Sequence, residues 1–255
     1  QLLTISTHRS RKSIYAPNTE ALQTFLEQRF EELRGINWDS NDLGDATSRS
    51  ELAAYSGNSK TKEIRSCPGF IVNSYDPIYA KLNGIDIVIA PEEGTMVFIA
   101  DWEHFKISQE VLVVGIENME NFRRIKEQRY FFPTDRPILF VSRYPQSTDL
   151  RNWLQIISNE YLHFGDFDLA GMHIYETEFY KYLGNRASFF IPTDIESRLS
   201  NGSTERYNTQ YAKFKNYIPK DTRLLSLYEM IKHYHRCYDQ EGYIDPKIES
   251  RKKEE

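Results

Sequence analysis

Three acidic side chains follow two apolar segments of the chain. Glu117 comes directly after Val111–Ile116. Asp166 and Asp168 follow Tyr161–Phe164 in the order Gly-Asp-Phe-Asp. A short, continuous apolar run indicates a strand buried on both faces, as in a parallel sheet, and ligands of such sheets bind beyond the carboxyl ends of the strands. We therefore expect these three carboxylates, called here the acidic rim, on one edge of the sheet.

The spacing within the aspartate pair favours metal binding. In an extended segment residues i and i+2 point to the same side, so Asp166 and Asp168 can face one metal ion or two adjacent ones. Carboxylates that converge without a basic partner repel one another, and a hard divalent cation relieves that repulsion. All-oxygen ligation favours Mg²⁺ or Mn²⁺ over zinc. Asp168 has an equally good second interpretation, because an aspartate after a strand often caps the following helix.

Strand-like and helix-like patterns alternate from residue 111 onward. The predicted strands are Val111–Ile116, Pro137–Val141, Tyr161–Phe164 and Ser188–Ile191. The predicted helices are Glu120–Gln128, Leu150–Ser158, Ala170–Tyr182, Arg206–Tyr217 and Leu224–Tyr238. Repeated strand, helix, strand order predicts an α/β fold with a central parallel sheet and helices covering its faces.

The chain before residue 110 is predicted to be a smaller, helical and winged-helix-like region. Glu20–Leu33 has helical spacing, and a short helix is expected over Arg49–Tyr55. The apolar runs Ile85–Ala90 and Thr95–Ala100 are joined by Pro-Glu-Glu-Gly, which predicts a β-hairpin. The expected organisation is an N-terminal region over residues 1–109, a domain over residues 110–248, and a charged, disordered tail over residues 249–255.

The composition excludes several classes of protein. Of 255 residues, 40% are hydrophobic and 27% are charged. No apolar run approaches the roughly 18 residues that span a bilayer, so no membrane association is expected. Two cysteines, Cys67 and Cys237, cannot build a disulfide framework, which favours a cytoplasmic setting. The net charge of −5 is compatible with a local basic face that binds DNA.

Two motifs resemble those of the Toprim domain. They are Val-Val-Gly-Ile-Glu-Asn-x-x-x-Phe, which contains Glu117, and Phe-Gly-Asp-Phe-Asp-Leu-Ala-Gly, which contains Asp166 and Asp168. The Gly-Asp-x-Asp-x-x-Gly form of the second motif is similar to that of the topoisomerase VI A subunit. The whole pattern, over about Ile85–Tyr182, most resembles the nuclease subunit of Wadjet-type plasmid-defence systems, the JetD or MksG family. That family joins a Toprim domain to a winged-helix-like domain.

The resemblance implies Mg²⁺- or Mn²⁺-dependent cleavage of DNA phosphodiesters. Glu117 would be the Toprim glutamate, acting as a metal ligand or as a general acid–base group. Asp166 and Asp168 would be the metal-binding pair, and Glu241 in the late Asp-Gln-Glu element would be a further ligand. The metal would activate a water molecule and stabilise the charge that develops on the leaving oxygen. The family also implies a homodimer that acts beside an SMC-like, condensin-type ATPase.

Other functions are compatible with the same residues. Breakage of the topoisomerase VI A type would use a covalent tyrosine, for which Tyr55 is the candidate. No activating partner accompanies Tyr55 in the sequence, which favours water as the nucleophile. A non-catalytic interaction subunit would bind metal for stability alone, and RNA is an alternative substrate. If DNA crosses the acidic rim, we expect Arg143, Lys60 and Lys62 to contact its phosphates.

Overall fold

The computed structural model describes residues 2–8, 11–30, 67–132, 135–142 and 148–244. The chain divides into two compact units, Gln1–Cys67 and Pro68–Glu255.

The described part of the first unit is a hairpin followed by a helix. Strands β1 (Thr4–His8) and β2 (Arg11–Tyr15) pair antiparallel, and helix α1 (Thr19–Arg29) comes next. Helix α1 begins after Asn18, whose side chain accepts a hydrogen bond from the backbone N–H of Ala21 and so satisfies a free donor of the first turn. The helix predicted from Glu20 is confirmed, but it ends at Arg29. The expected short helix over residues 49–55 lies outside the described residues.

The described strands of the second unit form two sheets. They are β3 (Phe70–Ser74), β4 (Ile78–Leu82), β5 (Ile85–Ile89), β6 (Val97–Ile99), β7 (Phe105–Ile107), β8 (Leu112–Ile116), β9 (Ile138–Ser142), β10 (Tyr161–Phe164) and β11 (Ala187–Phe189). A six-stranded sheet has the order β11-β10-β8-β9-β3-β6, and a three-stranded sheet has the order β5-β4-β7. Strands β11, β10, β8 and β9 run parallel, whereas β3 and β6 pair antiparallel. The larger sheet is therefore mixed.

Helices flank the six-stranded sheet. They are α2 (Met119–Arg123), α3 (Asp149–Ile156), α4 (Leu169–Tyr175), α5 (Lys181–Leu183), α6 (Ile195–Ser200), α7 (Thr204–Phe214) and α8 (Leu225–Tyr234). A π-helical turn, Glu176–Tyr180, joins α4 to α5, and 3-10 turns include Ile125–Phe131 and Gln240–Tyr243. Every residue of β8 and β9 is buried, which is why both strands are continuous apolar runs. The four strands predicted after residue 110 are confirmed, with ends that shift by at most two residues.

The predicted hairpin between Ile85–Ala90 and Thr95–Ala100 is wrong. Strand β5 pairs with β4, and β6 instead pairs with β3 in the other sheet. The turn between β4 and β5 is Asn83-Gly84, and both residues have positive φ, at 53° and 80°. Positive φ at both central residues is typical of the two-residue turn that matches strand twist, and Asn-Gly adopts it at little cost. This turn therefore selects the partner of β5.

Two further expectations about the second unit need correction. The central sheet was expected to be parallel, but β3 and β6 add an antiparallel edge to it. Both strands precede residue 109 yet pair within this sheet, so the structure separates the compact units at Cys67 and Pro68 and not at residues 109 and 110. Within the described ranges, no helix is both long enough and apolar enough to cross a membrane.

Candidate functional site

The acidic rim lies where two neighbouring parallel strands end. Strand β8 pairs with β10 so that Ile116 lies opposite Phe164. The next backbone N–H, that of Glu117, donates to the carbonyl oxygen of Phe164 at 3.0 Å. Glu117 and the Gly165-Asp166 segment therefore leave the sheet side by side, although they are far apart in the sequence.

Gly165 leaves room for the Glu117 side chain. A Cβ at Gly165 would lie 2.6 Å from Glu117 Oε2 and 2.9 Å from His163 Nε2. Glu117 Oε2 is buried and has no hydrogen-bond partner, although the side chain as a whole keeps 21% of its surface exposed. The nearest basic nitrogen described there is His163 Nε2, at 3.5 Å. One oxygen of the Glu117 carboxylate thus faces the protein interior without a conventional hydrogen bond.

Asp166 is half-enclosed by polar partners that affect its ionisation. Its Oδ1 accepts from the backbone N–H of Gln240 at 2.9 Å, and its Oδ2 accepts from Arg206 Nη2 at 2.5 Å. Burial raises the pKa of Asp166 to about 7, and the carboxylates of Asp168 and Glu117 add to the rise, against the opposing effects of Gln240 and Arg206. Such a carboxyl group is in protonation equilibrium near neutral pH.

Asp168 caps helix α4, as its second interpretation proposed. Its Oδ1 accepts from the Gly171 backbone N–H at 2.7 Å. Its Oδ2 accepts from Gln210 Nε2 at 2.7 Å and from Arg206 Nε at 3.0 Å. The side chain is 1% exposed. Both oxygens of Asp168 are therefore engaged within the protein, and Oδ2, which already accepts two hydrogen bonds, would have to give up a partner to bind a metal ion.

Arg206 is the residue that sequence reasoning missed. Its guanidinium contacts Asp166, Asp168 and, through Nη1 at 3.0 Å, Asp239. The aspartate pair therefore has a basic partner, which relieves part of the repulsion between its carboxylates without a metal ion. Arg206 lies in the first turn of α7, after the capping residue Ser203. Its position on a predicted helix gave no indication that it would reach carboxylates 40 and 38 residues away.

The segment around Glu241 closes over the same strand ends. Gln240 Oε1 accepts from the Asn118 backbone N–H at 3.1 Å, and Gln240 Nε2 donates to the Phe164 carbonyl at 3.1 Å. Glu241 Oε1 accepts from Asn118 Nδ2 at 2.5 Å. The structure thus places Glu241 beside the residue that follows Glu117, where Asn118 is its partner.

The remaining predicted residues cannot be placed. Arg143, Lys60, Lys62 and the candidate nucleophile Tyr55 all lie outside the described residues.

The donor set fits a divalent cation in part. In the described ranges, no three His, Cys, Asp or Glu side chains are grouped so that they could hold a metal ion. Glu117 keeps 21% of its side chain exposed, and Asp166 has a raised pKa that a bound cation would lower. Both fit a cation. Asp168 fits only if Arg206 and Gln210 release its second oxygen, because they now hold it.

The fold and site define an α/β protein with a mixed six-stranded sheet and carboxylates at the carboxyl ends of adjacent parallel strands. The sequence matches no protein-family model and no curated protein.

Proposed function

We propose that this protein is a metal-dependent DNA endonuclease whose active centre is the acidic rim. The proposal rests mainly on one observation: Glu117 and Asp166 leave adjacent parallel strands side by side, in a position where ligands of such sheets bind. The resemblance of the two motifs to Toprim nucleases supports the same activity. The substrate is double-stranded DNA, and hydrolysis of its phosphodiesters is the reaction.

The residues of the acidic rim would have different roles. Glu117 and Asp166 would hold Mg²⁺ or Mn²⁺, which when bound supplies an activated water and stabilises the leaving oxygen. Asp168 would position Asp166 and Arg206 by its hydrogen bonds, and would bind the metal after Arg206 moves. Asp166 must lose its proton to bind the cation, and its pKa of about 7 allows this near neutral pH. Glu241 would complete the ligand set from the covering segment.

The wider setting follows from the same resemblance. We expect a homodimer, so that two sites address two strands, acting in the cytoplasm beside an SMC-like ATPase that senses the DNA. Arg143, Lys60 and Lys62 would contact phosphates. Reversing their charges would weaken DNA binding and reduce its salt dependence.

Cleavage of supercoiled plasmid tests the proposal directly. The wild-type chain is compared with Glu117→Gln and Asp166→Asn, in Mg²⁺ or Mn²⁺, and with metal removed by chelation. We expect metal-dependent cutting that falls about 100-fold in each variant, because each substitution removes a charged ligand. The controls Glu120→Gln and Asp76→Asn remove exposed carboxylates outside the acidic rim and should cut like the wild type.

The outcomes separate the alternatives. Cutting that survives both substitutions would place the active centre elsewhere. Protein that stays attached to DNA after denaturation would indicate a covalent tyrosine and a topoisomerase-like reaction, whereas free ends would exclude it. Failure of the wild-type chain to cut would exclude a self-sufficient nuclease, and assays with RNA or with the partner ATPase would follow.

A second candidate is favoured by Arg206. Its guanidinium already pairs with both aspartates, as a structural clamp would in a non-catalytic interaction subunit. If the clamp needs no metal, Mg²⁺ would change neither cleavage nor thermal stability, whereas a metal-stabilised interaction subunit would melt at a higher temperature in Mg²⁺ without cutting DNA.

A further inference from the structure

Tyr161, His163 and Glu117 form a buried polar line beneath the acidic rim. The Tyr161 hydroxyl lies 3.0 Å from His163 Nδ1, and His163 Nε2 lies 3.5 Å from Glu117 Oε2. The side chain of His163 is 1% exposed, and Tyr161 is also fully buried. Neither His163 Nε2 nor Glu117 Oε2 has a hydrogen-bond partner, and at 3.5 Å the two atoms lie close together without making a hydrogen bond.

Two glycines make room for this line. A Cβ at Gly115 would lie 2.0 Å from the Tyr161 hydroxyl, and a Cβ at Gly165 would lie within 3.0 Å of both His163 Nε2 and Glu117 Oε2. Any other residue at either position would displace one of the three polar groups. The gap that Gly115, Glu117 and His163 help to line is too small for a water molecule.

The partners determine which nitrogen of His163 carries the proton. A carboxylate oxygen can only accept a hydrogen bond, so an unprotonated Nε2 would set two acceptors against each other in a buried space. With the proton on Nε2, the imidazole can donate to Glu117. Its Nδ1 is then an acceptor, and the Tyr161 hydroxyl donates to it. In this arrangement Tyr161 and His163 are hydrogen-bonded, and a small shift of the Glu117 side chain would let Nε2–H donate to its Oε2.

We infer that His163, held in the Nε2–H tautomer by Tyr161, is a positioning residue that directs Glu117 toward the acidic rim. The contact between His163 and Glu117 does not depend on the proposed function, whereas its consequence, the orientation of Glu117 for a cation, rests on that function. When Oε2 accepts from His163, the second oxygen of Glu117 is the one left for a cation. Partners that orient a ligating side chain commonly change metal affinity about 10–100-fold when they are removed.

Two measurements test the inference on the full chain. The first is the ¹⁵N chemical shift of the His163 ring nitrogens at mildly alkaline pH, which distinguishes the two neutral tautomers. We expect Nε2–H in the wild type, and in Tyr161→Phe a shifted Nδ1 resonance, because that nitrogen loses its hydrogen-bond donor. Glu117→Gln should shift the Nε2 resonance. A wild-type Nδ1–H tautomer would overturn the inference, and so would an Nε2 resonance that does not shift in Glu117→Gln.

The second measurement is the Kd for Mn²⁺ by calorimetry. His163→Leu should weaken binding about 10-fold, because the oriented donor is lost. His163→Gln, whose amide can still donate, should recover most of that loss. Tyr175→Phe is the matched control, since it removes a buried hydroxyl that bonds Asp221 and the Ala187 carbonyl, and we expect wild-type affinity.

Thermal melting and the Kd together distinguish a loss of metal binding from a loss of folding. Thermal melting of each variant shows whether it is folded before its Kd is compared. Equal Kd values for the wild type and a folded His163→Leu would overturn the positioning role. A wild type that binds no Mn²⁺ would overturn the metal site and the positioning role together, while the ring-nitrogen shifts would still decide the contact between His163 and Glu117.

Discussion

Replacing Arg206 by methionine discriminates best between a metal site and a structural clamp. The substitution removes the guanidinium that contacts Asp166, Asp168 and Asp239, while keeping much of the apolar stem. Asp168 would keep the Gly171 and Gln210 hydrogen bonds, and Asp166 would keep that of Gln240. The change therefore removes the basic partner that the structure describes for this pair while sparing their other contacts.

The size of the effect follows from burial. Breaking a fully buried ion pair costs about 3–5 kcal/mol, whereas an exposed pair contributes about 0–1 kcal/mol. The Arg206 side chain is 37% exposed and that of Asp168 is 1% exposed, so solvent screens the pair only in part. We expect the metal-free free energy of unfolding to fall by about 2 kcal/mol, which lowers the melting temperature by about 4–8 °C.

Thermal unfolding with and without millimolar Mg²⁺ measures both quantities. If the acidic rim binds metal, the cation should restore much of the lost stability in Arg206→Met, because it replaces the missing positive charge. The Mg²⁺ shift should then be larger in the variant than in the wild type. Arg223→Met is the matched control, since it breaks a similar pair with buried Asp221 and should not respond to Mg²⁺.

Two results would contradict this reasoning. A metal-free Arg206→Met that melts at the wild-type temperature would show that the ion pairs contribute little. An equal Mg²⁺ shift in Arg206→Met, Arg223→Met and the wild type would show that the cation does not act at the acidic rim. Destabilisation without any Mg²⁺ response would favour the structural clamp.

Three further predictions concern stability. The folded-state pKa of Asp166 is raised from 3.8 to about 7, so the folded metal-free protein binds this proton more tightly than the unfolded chain does. Its free energy of unfolding should therefore fall by up to about 4 kcal/mol as the pH rises between those two values. Measured by urea unfolding, the free energy of unfolding of Asp166→Asn should depend less on pH than that of the wild type. An unchanged pH dependence would refute the raised pKa of Asp166. Gly171→Ala should destabilise the protein by about 1–3 kcal/mol in thermal melting, because its Cβ would lie 2.3 Å from the Asp166 carbonyl oxygen. The control Ala170→Gly should cost about 1 kcal/mol through helix propensity alone. A Gly171→Ala variant that is more stable than the wild type would contradict the close approach at Gly171. Gly84→Ala has open space for its Cβ at a φ of +80°, so it should cost about 1–2 kcal/mol in urea unfolding through backbone strain alone, and unchanged stability would argue against the Asn83-Gly84 turn.

Local sequence pattern determined the elements that carry the acidic rim. The apolar runs before Glu117 and Asp166 predicted β8 and β10, because a strand covered on both faces cannot alternate with polar residues. The carboxyl ends of parallel strands share an edge, so the sequence alone was enough to expect Glu117 and Asp166 side by side. The pattern also allowed Asp168 to be a helix cap, and the structure realises that role.

Tertiary packing decided which partners each carboxylate meets. Arg206, Gln210 and Gln240 reach the aspartates from segments whose local patterns indicate only a helix or a turn. Likewise β5 pairs with β4 rather than with β6, and β3 and β6 join the central sheet from earlier in the chain. The physical reason is that periodicity records how deeply a residue is buried, whereas long-range contacts depend on how complete elements pack against one another. The sequence by itself therefore placed the carboxylates on one rim, and only the folded chain supplied the arginine that pairs with both aspartates and the histidine that lies beside Glu117.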